Sequence, residues 1–202
     1  MSRFSRFASS LARPARAAPM MAAVFAACLL ATSAVSAKPR NVTDPDIPRA
    51  LPGDSAVSVD WTDPAQFTEL RFSGNRWESQ RGNWVVQLAE HLRDTAEKRL
   101  PAGDRLEVNI TDIARAGHYE PAGMRMDSIR IMRDIYPPRM ELAFRHIDAN
   151  GRVVSEGQRK LRDSMYLSNS SIIGSNDTLR YEKRLIDDWV RREFTAPATA
   201  SR

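Results

Sequence analysis

The stretch Met140-Glu141-Leu142-Ala143-Phe144-Arg145-His146-Ile147-Asp148-Ala149-Asn150-Gly151-Arg152-Val153-Val154 decides the fold class. Met140, Leu142 and Phe144 alternate with Glu141, Ala143 and Arg145, and successive side chains on a strand point to opposite faces. One apolar and one polar face describe a sheet that is packed on one side and wet on the other, the habit of antiparallel sheets. Asp148-Ala149-Asn150-Gly151 then reads as a hairpin turn. Asp and Asn side chains bond their own backbone there, and Gly151 takes positive φ without a Cβ penalty. The returning strand starts at Val153 and runs to about Leu161.

Outward from this hairpin the same two periods recur. Val57, Val59 and Trp61 alternate with polar residues as a first strand, which Asp63-Pro64 ends. Residues 72–83, with Gly74 and Gly82, read as loop. Trp84, Leu88, Leu92 and Ala96 recur every four residues and predict a helix from about 84 to 100. Asn83 is its candidate N-cap, and Pro101 with Gly103 supplies the stop. Leu106, Val108 and Ile110 form another alternating strand. Ile129 and Ile131 begin a further one before Pro137-Pro138, neither of which can donate to a ladder. Ser168 to Asp177 is a polar loop. Asn176, Asp177 and Thr178 offer caps for a last helix over about 179–194. Leu185, Ile186, Trp189 and Phe194 give that helix apolar surface. Lys183–Asp187–Arg191 and Arg184–Asp188–Arg192 are spaced as charge ladders on its other side. The order β-α-β-β-β-β-α predicts an α+β fold, with two helices packed on one face of a mostly antiparallel sheet of about five strands.

The ends of the chain read differently. Arg3, Arg6, Arg13 and Arg16 precede an apolar run from Met20 to Val35, and Val35-Ser36-Ala37 follows with small residues. This is the order of a secretory signal peptide, so residues 1–37 are expected to be removed between Ala37 and Lys38. The run is shorter than the ~20 apolar residues that span a bilayer, so no stable membrane insertion is expected after cleavage. Cys28, the single cysteine, follows Phe25-Ala26-Ala27, a loose lipobox. The alternative to a soluble exported protein is therefore a lipoprotein anchored at Cys28. Without that cysteine the mature chain holds no thiol, which suits an oxidising compartment. Pro39, Pro45, Pro48 and Pro52 make 38–54 a Pro-rich extended linker. Residues 55–194 form the single domain, and 195–202 a flexible tail.

Charge narrows the partners. The chain carries 30 Lys and Arg against 25 Asp and Glu, a net of +5. Without residues 1–37 the balance is 26 against 25, so the basic character belongs to the leader. A nucleic-acid binder needs its excess charge on the folded domain, and no nucleic-acid partner is expected. Arg76, Trp77, Arg81 and Trp84 interleave cations with aromatics, but Trp84 falls on the buried helix stripe, and Trp77 is expected to pack under its loop.

Chemical motifs are sparse. The sequence has no His-x-x-x-His, no Gly-x-Ser-x-Gly and neither phosphate-binding glycine pattern. Asp148-x-Asn150-Gly151 resembles the start of a calcium loop, but Arg159 stands where the closing acid belongs. Asp112, His118 and Glu120 form a polar cluster in one segment that would have to converge to hold a metal. The expectation is that they do not, and that the domain has no cofactor, no metal and no catalytic residue. Asp112, Asp163 and Asp188 are expected in turn and cap bonds.

Several segments taken together carry a resemblance. They are Thr111-Asp112-Ile113-Ala114-Arg115-Ala116-Gly117, Pro137-Pro138-Arg139, Leu161-Arg162-Asp163-Ser164-Met165-Tyr166, and Tyr181-Glu182-Lys183 followed by Asp188-Trp189. In this order they resemble the proteobacterial exported family known as domain of unknown function 3016, over about residues 55–194. One departure is Arg115, where the family pattern has an apolar residue. The resemblance implies a bacterial envelope location and a single small α+β domain, and it supplies no catalytic residue. The expectation is an exported envelope protein with a non-enzymatic binding or accessory role toward an envelope protein or small ligand. The competing expectation is a periplasmic hydrolase using carboxylates, or Asp112 with His118.

Overall fold

The alternating positions of the sequence become the two faces of a four-stranded sheet. The computed structural model describes residues 41–120, 128–168 and 175–194. Cys28, the cleavage positions Ala37 and Lys38, and the 195–202 tail lie outside the described residues. In chain order the elements are β1 (Val57–Trp61), α1 (Thr68–Arg71), α2 (Arg76–Gln80), α3 (Trp84–Glu97), β2 (Arg105–Ala114), β3 (His118–Tyr119), β4 (Arg130–Ile131), β5 (Arg139–Ile147), β6 (Val153–Arg162) and α4 (Arg180–Glu193). The main sheet has the order β1-β2-β5-β6. β1 and β2 run parallel because α3 carries the chain back between them, and the remaining pairs are antiparallel. The architecture is α+β, as the periodicity indicated.

Register puts the apolar positions side by side. Val59, Val108 and Phe144 form one cross-strand row, and Trp61, Ile110 and Leu142 the next. All six are buried, together with Leu88, Leu92, Leu185, Ile186 and Trp189 from α3 and α4. The opposite face carries Asp60, Glu107, Asn109, Glu141 and Arg145 and stays polar. The hairpin closes as read: Gly151 has φ 80° and donates to the Asp148 carbonyl at 2.9 Å.

Three features differ from the sequence reading. The strand begun at Ile129 and Ile131 does not enter the sheet. It shortens to β4 and pairs only with β3, because Arg130, Met132, Arg133 and Asp134 supply no apolar alternation that the core could bury. Residues 72–83, read as loop, contain α2. Its N-terminus is capped by Asn75, whose side chain accepts from the Glu78 N–H at 3.1 Å, and five residues are too few to show a period. Of the charge ladders on α4, the Arg184–Asp188 step forms at 3.7 Å, while the Lys183–Asp187 step is redirected. Asp187 bonds His91 at 2.7 Å and Thr95 at 3.3 Å across to α3, and Lys183 bonds Asp177.

The Pro-rich segment, described from Asn41, is not simply extended: the Asp44 and Ile47 N–H groups close two turns on the Asn41 and Asp44 carbonyls, and the segment is held at two points. Val42 donates to the Gln80 carbonyl and is buried. Further on, Leu51 and Trp61 exchange backbone bonds with Val59 and Arg49. This strap covers the outer edge of β1, which would otherwise present unpaired backbone. Among the described residues no helix is long and apolar enough to cross a membrane.

Candidate functional site

β1 stops opposite Ile110, but β2 continues to Ala114. A bulge lies between Ile110 and Asp112. The extra residue restores Ile113 to the core face and turns Asp112 outward beside the place β1 has vacated. The α1 turn occupies that place. Asp112 caps it, accepting from the Thr68 N–H at 2.5 Å and from its hydroxyl at 2.6 Å. Phe67 and Leu70 anchor α1 in the core, and this fixes Glu69 against the end of β2.

Glu69 is the centre of a buried charge network. Its carboxylate accepts a two-pronged bond from Arg130, 2.8 Å on each oxygen, and further bonds from the Arg115 N–H and guanidinium at 2.9 Å. Burial works against its ionised form. The adjacent Arg130 and Arg115 charges outweigh that and hold its pKa below the ordinary range. Arg115 also reaches the Ser79 carbonyl at 3.3 Å, while its Nε is buried without a hydrogen-bond partner. Arg130 Nε bonds the Ala116 carbonyl at 2.6 Å, Arg115 lies over Trp84, and Arg130 lies over Tyr119. Two glycines allow β3 to come this close. A side chain at Gly74 would meet the Tyr119 carbonyl at 1.8 Å, and Gly117 has φ 76°.

Glu182 of α4 reaches the same corner and behaves oppositely. Oε1 accepts from the Ala116 N–H at 2.6 Å, while Oε2 is buried without a hydrogen-bond partner. Burial pushes its pKa up, against the pull of that N–H and of the two arginines. A carboxyl whose folded-state pKa is raised contributes stability below its unfolded value of about 4.3, and loses that contribution as pH rises through the folded value. Glu182→Gln should therefore gain stability relative to the natural protein as pH rises from acid to neutral, read as melting temperature against pH. Parallel curves for the two proteins would mean that Glu182 does not titrate in this way.

The structure separates the polar cluster read from the sequence. Asp112 is spent on Thr68. Glu120 pairs with Arg133 at 2.8 Å and accepts from Tyr136, which holds that phenol above its usual range. His118 stacks against Tyr136 with ring centroids 5.1 Å apart. The other histidines lie elsewhere, His91 on Asp187 and His146 on Asp104. Among the described residues no group of three or more His, Cys, Asp or Glu could hold a metal ion. Asp163 accepts from the Met165 N–H and Asp188 pairs with Arg191. Trp77 does not pack under its loop: it is 60% exposed, with Arg81 over its ring.

Two clefts open on either side of the Arg115 wall. The first, about 350 Å³, is lined by His118, Tyr136, Pro137, Arg139, Arg162 and Phe72 among others. The second, about 520 Å³, is lined by Arg81, Tyr119, Arg130, Met132, Arg180 and Glu182 among others. Its arginines are already engaged, Arg81 by Glu78, Arg130 by Glu69, and Arg180 by the Asp177 carbonyl. The first cleft is different. Arg139 and Arg162 face each other directly across β5 and β6. Arg162 spends its Nε on the Ser164 hydroxyl at 3.1 Å. Neither arginine has a carboxylate partner among the described residues.

Sequence reasoning missed Glu69, Arg130, Glu182, Arg139 and Arg162 as a set. The one available signal was indirect. Segments 111–117, 137–139, 161–166 and 181–183 are far apart in sequence, yet each supplies a residue to one of these two clefts or to the network between them.

The fold and this corner define a small α+β domain with a buried charge network and an open basic cleft. The family model described as "Protein of unknown function (DUF3016)" matches residues 55–192, and the chain belongs to that family. No curated protein and no solved structure matches it significantly.

Proposed function

We propose that the protein is a non-enzymatic binding domain exported to the bacterial envelope, and that it takes an anionic ligand in the cleft of Arg139, Arg162 and His118. The observation that carries this reading is the pair of arginines that have no carboxylate partner among the described residues, in an open cleft whose one lining acid, Glu69, is already engaged. Glu69 is held by Arg115 and Arg130, Asp112 by Thr68, and Glu120 by Arg133 and Tyr136. A hydrolase working through carboxylates needs one that can reach a substrate or water. Here these three carboxylates serve the fold, and Arg139 and Arg162 remain open to a ligand. That disfavours the alternative in which Asp112 and His118 act together.

Export is supported by the order of positive, apolar and small residues over 1–37. Expression in a bacterial host, followed by fractionation and N-terminal sequencing, tests it. A periplasmic product starting at or near Lys38 is the expected result. A lipidated product starting at Cys28 would replace the soluble reading with an anchored one, and an uncleaved cytoplasmic product would overturn export.

A further inference from the structure

We propose that the cleft of Arg139, Arg162 and His118 binds a phosphomonoester carried on a small apolar or aromatic body. The inference rests on the binding-domain reading and names the ligand chemistry. Like charges directly opposite on adjacent strands are destabilising by themselves. Arg139 and Arg162 hold such positions on β5 and β6. The chain does not relieve them. Glu141, two residues along β5, is taken by Lys160 at 3.0 Å, and Asp163 accepts from a backbone N–H and lies 4.0 Å from Arg184. Two exposed guanidinium groups on one wall of the cleft, without a carboxylate partner among the described residues, offer an anion two forks of donors.

The charge and shape of the cleft select among anions. A phosphomonoester carries about −1.5 to −2 at neutral pH and three terminal acceptor oxygens. A carboxylate offers a single charge and two oxygens. Two arginine forks suit the dianion, and the His118 ring, a donor in either tautomer, suits a third oxygen. The walls add an apolar requirement. Phe72 and Ile135 line the cleft while 64% and 69% exposed, and Tyr136 and Pro137 continue that surface. Together they give a ligand's apolar body a surface to lie against beside the arginines. A volume of about 350 Å³ lies within the range of small-molecule sites.

Titration calorimetry of the purified protein with phenyl phosphate, benzoate and inorganic phosphate tests this. Phenyl phosphate is expected to bind at least tenfold more tightly than either of the others. Arg139→Ala and Arg162→Ala should each weaken it tenfold or more. Phe72→Ala should weaken phenyl phosphate but leave inorganic phosphate unchanged. Ligand-free Arg139→Ala should melt no lower than the natural protein, since it removes a repulsion. Co-sedimentation with vesicles containing phosphatidic acid separates the two sources of such a group: capture that Arg139→Ala abolishes assigns a lipid headgroup, and phenyl phosphate binding without capture assigns a soluble ester. Equal affinity for benzoate, unchanged affinity in the arginine variants, a lower melting temperature for ligand-free Arg139→Ala, or no binding would each overturn the proposal. Release of phenol would instead overturn the non-enzymatic reading and leave the binding site standing.

Discussion

Glu69→Gln should destabilise the domain by about 3–5 kcal/mol, the cost of removing one member of a buried, hydrogen-bonded charge group. The Glu69 side chain is 5% exposed, and Arg115 and Arg130 are 15% and 16% exposed. Gln keeps the shape and can still accept on its one oxygen, but it brings no charge and replaces the second oxygen with an amide donor facing guanidinium donors. Two cations would then lie buried without a counter-charge. Arg115→Leu is the informative control. It leaves the charge-balanced Glu69–Arg130 pair intact and removes the buried Arg115 Nε that has no hydrogen-bond partner, while giving up the Arg115 bonds to Glu69 and Ser79 and its place over Trp84. Its cost should be smaller than that of Glu69→Gln, because the pair it leaves behind is charge-balanced. The pH dependence has a defined sign. Because the folded-state pKa of Glu69 is depressed, its contribution is present above about 4.3 and is lost as pH falls through the folded value. The gap between Glu69→Gln and the natural protein should therefore narrow in acid. Urea unfolding of the three proteins at neutral and acid pH measures all of this. A Glu69→Gln loss under about 1 kcal/mol would show that the network is incidental to the fold.

The periodic elements were legible because periodicity is a property of the chain that burial then enforces. Trp84, Leu88, Leu92 and Ala96 recur every four residues, and all four are buried against the sheet. The hairpin at Asp148–Gly151 was legible for a local reason, since its turn chemistry needs no distant partner. The strand expected at Ile129 failed where tertiary context mattered. Two isoleucines alternate there, but no neighbouring strand places a core against them.

The site was illegible for a related reason. Glu69 sits in Thr68-Glu69-Leu70-Arg71, which reads as an ordinary surface turn. Its importance comes from Arg115 and Arg130, which approach only because β2 outruns β1 and a bulge turns the strand at that point. Charge pairing across such sequence distances leaves no period. The same holds for the α4 ladders. Their spacing was real, yet His91 on a neighbouring helix captured Asp187, because a contact between helices displaces solvent that an exposed pair on one helix does not. Arg139 and Arg162 appeared only as parts of separate motifs until register placed them opposite each other.

Trp189→Ala should cost about 3–5 kcal/mol, the usual range for removing a large aromatic side chain from a core. Trp189 is 2% exposed and packs edge-on against Phe144 of β5 at 5.8 Å and Phe194 at 6.2 Å. It is the residue through which α4 meets the sheet, because β6 offers little apolar surface on that side. Opposite Phe144 stands Gly157, and the gap beyond is covered by Arg159, which lies over the Phe144 ring and makes a two-pronged bond to Glu193 at 2.9 and 3.0 Å. Removing the indole would leave α4 held by Leu185, Ile186 and Val190 in the core, by that ion pair, and by the Asp187 and Glu182 bonds. The loss should extend to the charge network, because α4 also carries Glu182 against the Ala116 N–H. Trp189→Phe separates the contributions. It keeps most of the ring contact and removes an indole N–H that is buried without a hydrogen-bond partner, so part of its lost area is offset and its cost should be about 1 kcal/mol. Denaturant unfolding gives the energies, and near-ultraviolet circular dichroism shows whether the remaining aromatic packing survives. A Trp189→Ala loss under about 1 kcal/mol would place α4 outside the cooperative core.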